Sequence, residues 1–211
     1  MKKLYTLLFF ALTGISFGQV ALYEDFNYTV PGFIGGNTST TTDAIGSNNW
    51  LTQSNTSGNS GTIDVITGSL TYTGLAASSG NKVLLPGNNA SVPRDINRAF
   101  TSAPGTNVLY YSALINVIDN TQLAASPIAV GNTNSYFMSF GSTAGTNVNI
   151  LNGRLAAATV NSGANYRLQI NNNSSGSVSN YTEFPTDLNF GTTYLVVVKV
   201  DITSSPYVAT L

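Results

Sequence analysis

The chain has 211 residues with no cysteine and no histidine, and only 8% of them are charged, against about 25% in an ordinary globular protein. Those absences exclude disulfides, thiolate and imidazole metal sites, a cysteine nucleophile and Ser-His-Asp catalysis. Eight basic residues against nine acidic ones supply no basic patch to neutralise phosphates, which argues against nucleic acid as a partner.

Residues 1–18 read as a secretory signal peptide. Lys2 and Lys3 form the charged n-region, 4–15 the apolar h-region, and Ser16-Phe17-Gly18 supplies the small residues before a cut at Gln19. The apolar run is short for a membrane span, which needs about 20 residues. The expectation is a secreted or cell-surface chain with no membrane span once the signal is removed. Losing both lysines leaves 6 basic and 9 acidic residues, so the mature net charge is 6 − 9 = −3, too mild to imply an electrostatic partner. Residues 19–211 suit a single domain.

ALYEDFNYT, 21–29, alternates well enough for a first strand, although Glu24 breaks its apolar side. The polar run 37–49 has no periodicity and reads as a loop, ended by Trp50, which is either a core plug at the sandwich end or a stacking platform for a sugar. Short strands follow at 61–67, 69–75, 81–86 and 95–101, punctuated by Gly and Asn. In 108–118 an apolar face runs through Leu109, Tyr111, Ala113, Ile115 and Val117. Strands at 135–142, 147–160 and 165–172 make a meander, with Asn152-Gly153 a candidate type I′ turn. The least ambiguous strand is TTYLVVVKVDI, 192–202, which places Tyr194, Val196, Val198, Val200 and Ile202 on one face. Those five are expected to meet the odd-numbered face of 109–117 between two sheets. YVATL, 207–211, is expected to begin a return strand antiparallel to 192–202, and the domain is expected to be truncated at its C-terminal end. No helical period of 3.6 is sustained after residue 18. The fold class is therefore all-β, a two-sheet antiparallel β-sandwich of jelly-roll type.

The segments YEDFNYTVPGFIG, DINRAF, LYYSALINV, YFMSFGS, the NGRLAAATV and YRLQINN pair, and LNFGTTYLVVVKV together resemble a family of secreted Bacteroidota proteins. In that family an N-terminal concanavalin A-like or laminin-G-like jelly roll precedes further domains and a C-terminal sorting signal for type IX secretion. The resemblance spans about 21–211 and implies fold and location more than activity. This chain departs from the pattern in showing no sorting domain before Leu211.

A glycosidase on such a fold needs two carboxylates about 5 to 9 Å apart. The Glu-x-Asp-x-x-Glu arrangement of glycanases that share it is missing from this chain. Calcium is common among laminin-G-like relatives, and Asp25, Asp119 and Asn120 are the candidate ligands, against an alternative in which they cap turns. No other cofactor is called for. Arg94 and Arg98, in the densest charge of the chain, are candidates for gripping a polar ligand, against a local Arg-Asp pair. Trp50 and Tyr136, with Tyr72, Tyr110 and Tyr166, suit stacking on sugar rings, although core packing demands the same residues. The expected function is a non-catalytic module for adhesion or for binding a polysaccharide or cell-surface glycan. The alternative is a carbohydrate-active enzyme, a polysaccharide hydrolase or lyase, on the same fold.

Overall fold

The computed structural model describes residues 20–35, 50–53, 62–85, 95–128, 136–145, 148, 150–172, 181–204 and 207–211. The expected signal peptide, the expected loop at 37–49 and Arg94 lie outside them. In chain order the strands are β1 (Gly32–Ile34), β2 (Leu51–Thr52), β3 (Ile63–Ile66), β4 (Lys82–Leu84), β5 (Ile96–Asn97), β6 (Val108–Asn116), β7 (Ala124–Ala125), β8 (Tyr136–Gly141), β9 (Leu151–Val160), β10 (Asn165–Asn171), β11 (Thr182–Glu183), β12 (Thr193–Asp201) and β13 (Val208–Thr210). Among the described residues there is no α-helix, and no helix long and apolar enough to cross a membrane.

The period-two pattern of β12 becomes its burial pattern. Val196, Val198 and Val200 are buried while Leu195, Val197 and Lys199 are exposed. The buried valines pack on Leu155 and Ala157 of β9 and on Leu168 and Ile170 of β10, with Tyr166 and Leu188 completing the main core. Sheet β13-β12-β6 thus lies over the five-stranded sheet in the manner of a β-sandwich, in which β11-β10-β9 is extended by β8 and β7 along the far edge of β9. Burial of each large apolar side chain here is worth about 1.5–3 kcal/mol.

The long strand β6 is not opposite β12 but beside it. Nine residue pairs join the two strands antiparallel, Val198 against Tyr111 and Val200 against Leu109 among them. The odd-numbered face of 109–117 therefore shares a side with the β12 valines, and both look toward β9 and β10. Alternation states which side chains share a face, and leaves open whether a second strand with the same pattern is a ladder neighbour or a facing one. The return strand forms as expected, with Val208 to Thr210 paired antiparallel to 199–201 of β12. The meander of β8, β9 and β10 also forms, antiparallel throughout, while β7 runs parallel to β9.

Asn152-Gly153 does not turn the chain. Both residues lie inside β9, and a type I′ turn needs positive φ at both positions, whereas only Gly153 has it, at 59°. A Cβ on Gly153 would come 2.8 Å from Val200 Cγ2, so glycine lets the two sheets close there, and the Tyr111 hydroxyl donates to the Gly153 carbonyl at 2.5 Å. Two expected strands do not form. In 21–29, the Glu24 carboxylate takes the Phe26 N–H at 2.8 Å and the Phe26 carbonyl takes the Tyr28 N–H at 2.7 Å, so local bonds satisfy groups that a ladder would need. In 69–75, the chain turns, with the Leu75 N–H donating to Tyr72 O at 3.2 Å.

A smaller core gathers around sheet β1-β3-β4. Ile34, Ile63 and Val65 are buried in it, with Phe26, Tyr28, Trp50, Val83 and Ile96 packed against them.

Candidate functional site

The same alternation that sends Leu155, Ala157, Leu168 and Ile170 inward sends their neighbours to the outer face of the five-stranded sheet. Register sets the rows: Arg154 lies beside Asn171, Ala156 between Tyr136 and Gln169, Ala158 beside Arg167, and Gln169 beside Glu183. The small alanines make room for Ile128, which packs onto Ala156 and Ala158, with Tyr136 and Tyr181 half-buried around it. From the same segment the Ser126 hydroxyl donates to Glu183 Oε2.

One end of this face is a closed ionic network. Arg167 holds Asp187 through Nε at 2.5 Å and Glu183 through Nη1 at 2.6 Å. The Gln169 amide donates to Glu183 Oε2 at 3.1 Å and to Ser126 Oγ at 2.9 Å. The Ser126 hydrogen bond, and after it Arg167, holds the Glu183 carboxyl below the usual range; Arg167 and then Asn161 do the same for Asp187. The pairs are about a third exposed, so solvent screens them and each contributes little to stability.

The other end is not closed. Arg154 is 6% exposed, its guanidinium sits 5.4 Å from the centre of the Tyr136 ring, and its Nε is sealed from solvent without a hydrogen-bond partner. Gln169 is 1% exposed, and its Oε1 is likewise sealed and unpartnered. The Tyr136 hydroxyl donates to Asp95 Oδ2 at 3.0 Å. Burial raises the phenols of Tyr136 and Tyr181, so both stay neutral donors at physiological pH. The face therefore carries neutral hydroxyls, ring surfaces and a guanidinium around a buried amide.

Of the residues singled out in the sequence, Tyr136 stands on this face. Trp50 and Arg98 come together elsewhere, around Glu24: its Oε2 accepts from Arg98 Nη1 at 2.5 Å, Tyr28 Oη at 2.6 Å and Trp50 Nε1 at 3.2 Å. Trp50 also stacks on Phe26 at 6.2 Å, which makes it a plug of the smaller core. Tyr166 cannot serve as a sugar platform, because it is fully buried against Phe190 and Tyr194. Tyr72 and Tyr110 are exposed.

The calcium candidates are engaged by other contacts. Asp119 Oδ1 accepts from both the N–H and hydroxyl of Thr121, at 2.9 and 2.6 Å, which hold its carboxyl below the usual range, the hydroxyl most. Asn120 donates to Gly163 O, and Asp25 accepts from the Asn27 N–H. Each engages its own turn or a neighbouring loop, and no group of three or more acidic side chains gathers among the described residues.

Sequence reading missed Arg154, Arg167, Gln169 and Glu183. One signal was available: Arg154 is the lone charge in NGRLAAATV, a segment otherwise fit for a buried strand. Comparison of the chain with protein-family models, with curated proteins and with solved structures gives no match.

Proposed function

We propose that the chain is a secreted or cell-surface module on a jelly-roll sandwich, delivered by a signal peptide at 1–18, that binds glycan and serves adhesion without catalysis. The observation that carries the reading is the outer face of the five-stranded sheet, where the Arg154 guanidinium lies against the half-buried Tyr136 ring and Tyr181 stands in the same cluster. Sugars ask for that combination, flat apolar faces for the ring and donors for the hydroxyls. A hydrolase needs one carboxyl kept protonated near neutral pH, and Glu183 and Asp187, which share Arg167, are both pushed the opposite way, which favours binding over catalysis.

The test is a polysaccharide pull-down and glycan array with the purified chain. Retention on at least one glycan class, without release of shortened products, is the expected result. Silence across all classes overturns the binding reading, and release of reducing ends or unsaturated sugars overturns the non-catalytic one.

A further inference from the structure

Building on the glycan-binding reading, we infer that the ligand is an anionic polysaccharide and that Arg154 is the residue that receives its acid group. Arginine at 6% exposure is unusual, because a charge removed from water requires a partner. Here the three ion pairs among the described residues use Arg98 and Arg167, and none reaches Arg154. Its guanidinium lies over the Tyr136 ring, which stabilises a cation but accepts no hydrogen bond in the plane of the fork. Nε is sealed; the Nη groups are not sealed in this way, and they donate to no described residue.

The planar fork matches the two oxygens of a carboxylate or a sulfate, and such paired bonds are the strongest that arginine makes. Nearby, the half-buried Tyr136 supplies a ring flank. The neighbouring carboxylates do not compete for Arg154, since Glu183 and Asp187 are engaged by Arg167, and Asp95 accepts from the Tyr136 hydroxyl. The geometry thus provides a cationic fork without an anion, on a face otherwise suited to sugar. A uronate or a sulfated sugar fits that fork, and a neutral glucan does not use it.

The test compares matched ligands on the unaltered chain by calorimetry: polygalacturonate, its fully methyl-esterified counterpart, a sulfated galactan and a neutral β-glucan. The expected result is at least tenfold weaker binding of the ester than of the acid, with affinity falling as salt rises. Whether the uronate or the sulfated arm binds more tightly identifies which acid group the site takes, and either supports the assignment. Arg154→Lys keeps the charge but loses the fork, and should weaken acid binding at least tenfold. Arg154→Met should abolish the preference for acid over ester while leaving the unfolding midpoint unchanged or higher. If that variant does not fold, the acid-to-ester ratio of the unaltered chain still decides. Equal affinity for acid and ester, or binding of the neutral glucan alone, overturns this inference and leaves glycan binding standing. Binding of no glycan removes both.

Discussion

Adjacent residues of β9 and β10 build two faces of opposite character. Inward, Leu155, Ala157, Leu168 and Ile170 meet the valines of β12 and are matched apolar surface to apolar surface. Outward, Arg154, Arg167, Gln169 and Glu183 form polar contacts, some closed and some open. Every residue from Leu151 to Ala158 is buried, and both sides of that strand carry apolar packing, the larger core inward and Ile128 on Ala156 and Ala158 outward. Burial alone therefore does not separate the two faces. Charge does: the inner positions are apolar, whereas the outer ones include Arg154, Arg167 and Glu183; sealed polar atoms without a partner occur on both, Tyr166 Oη inward and Arg154 Nε and Gln169 Oε1 outward.

Substitutions should separate the two faces sharply. The largest effect is expected for Val198→Asp, which places a carboxylate at a position with no solvent exposure and no cation against it. A cost above about 4 kcal/mol is a large part of a total stability of roughly 5–15 kcal/mol, so folded protein should be lost. A soluble chain with a cooperative melt would show that this face is not the core. Gly153→Val comes next, since its Cβ would press on Val200 and Ala209 at a backbone φ of 59°. About 3 kcal/mol of destabilisation is expected in urea denaturation, and a near-normal midpoint would mean that the sheets can spread at this point.

Tyr111→Phe removes the hydroxyl that reaches the Gly153 carbonyl across the sandwich, and should cost about 1 kcal/mol by the same measurement. The smallest effect belongs to the outer ionic network. Glu183 and Asp187 have folded pKa values below their ordinary 4.5 and 3.8, so their contribution is complete above those values and is lost as pH falls through the lower folded ones. Stability measured from pH 5 downward should decline less steeply in Glu183→Gln than in the unaltered chain. Identical slopes would show that this network is stability-neutral, which would widen the contrast between the faces.

Several features are legible in the order of residues because they are local. The alternation of β12, the meander of β8 to β10 and the return strand at β13 follow from side-chain period and turn residues, both set by near neighbours along the chain. Asn152-Gly153 misleads for a reason of the same kind: the dipeptide permits positive φ but does not say whether a hairpin or a close sheet contact uses it. The strand expected at 21–29 fails at the residue that breaks its pattern. Glu24 is the acceptor for a backbone N–H and for Arg98, Tyr28 and Trp50, the latter two 4 and 26 positions away in sequence.

An all-β chain, its longest strands and their apolar sides all follow from the sequence, because hydrophobic period is a property of neighbouring residues. It took the packed sheets to set β6 beside β12 and not across from it, to converge Trp50 and Arg98 on Glu24, and to bring Arg154 over Tyr136 with no anion at its fork. Each of these joins groups far apart in sequence. Such pairings depend on which strand becomes the neighbour and on which polar groups find partners once the sheets have closed; period along the chain sets which side chains share a face but neither of these.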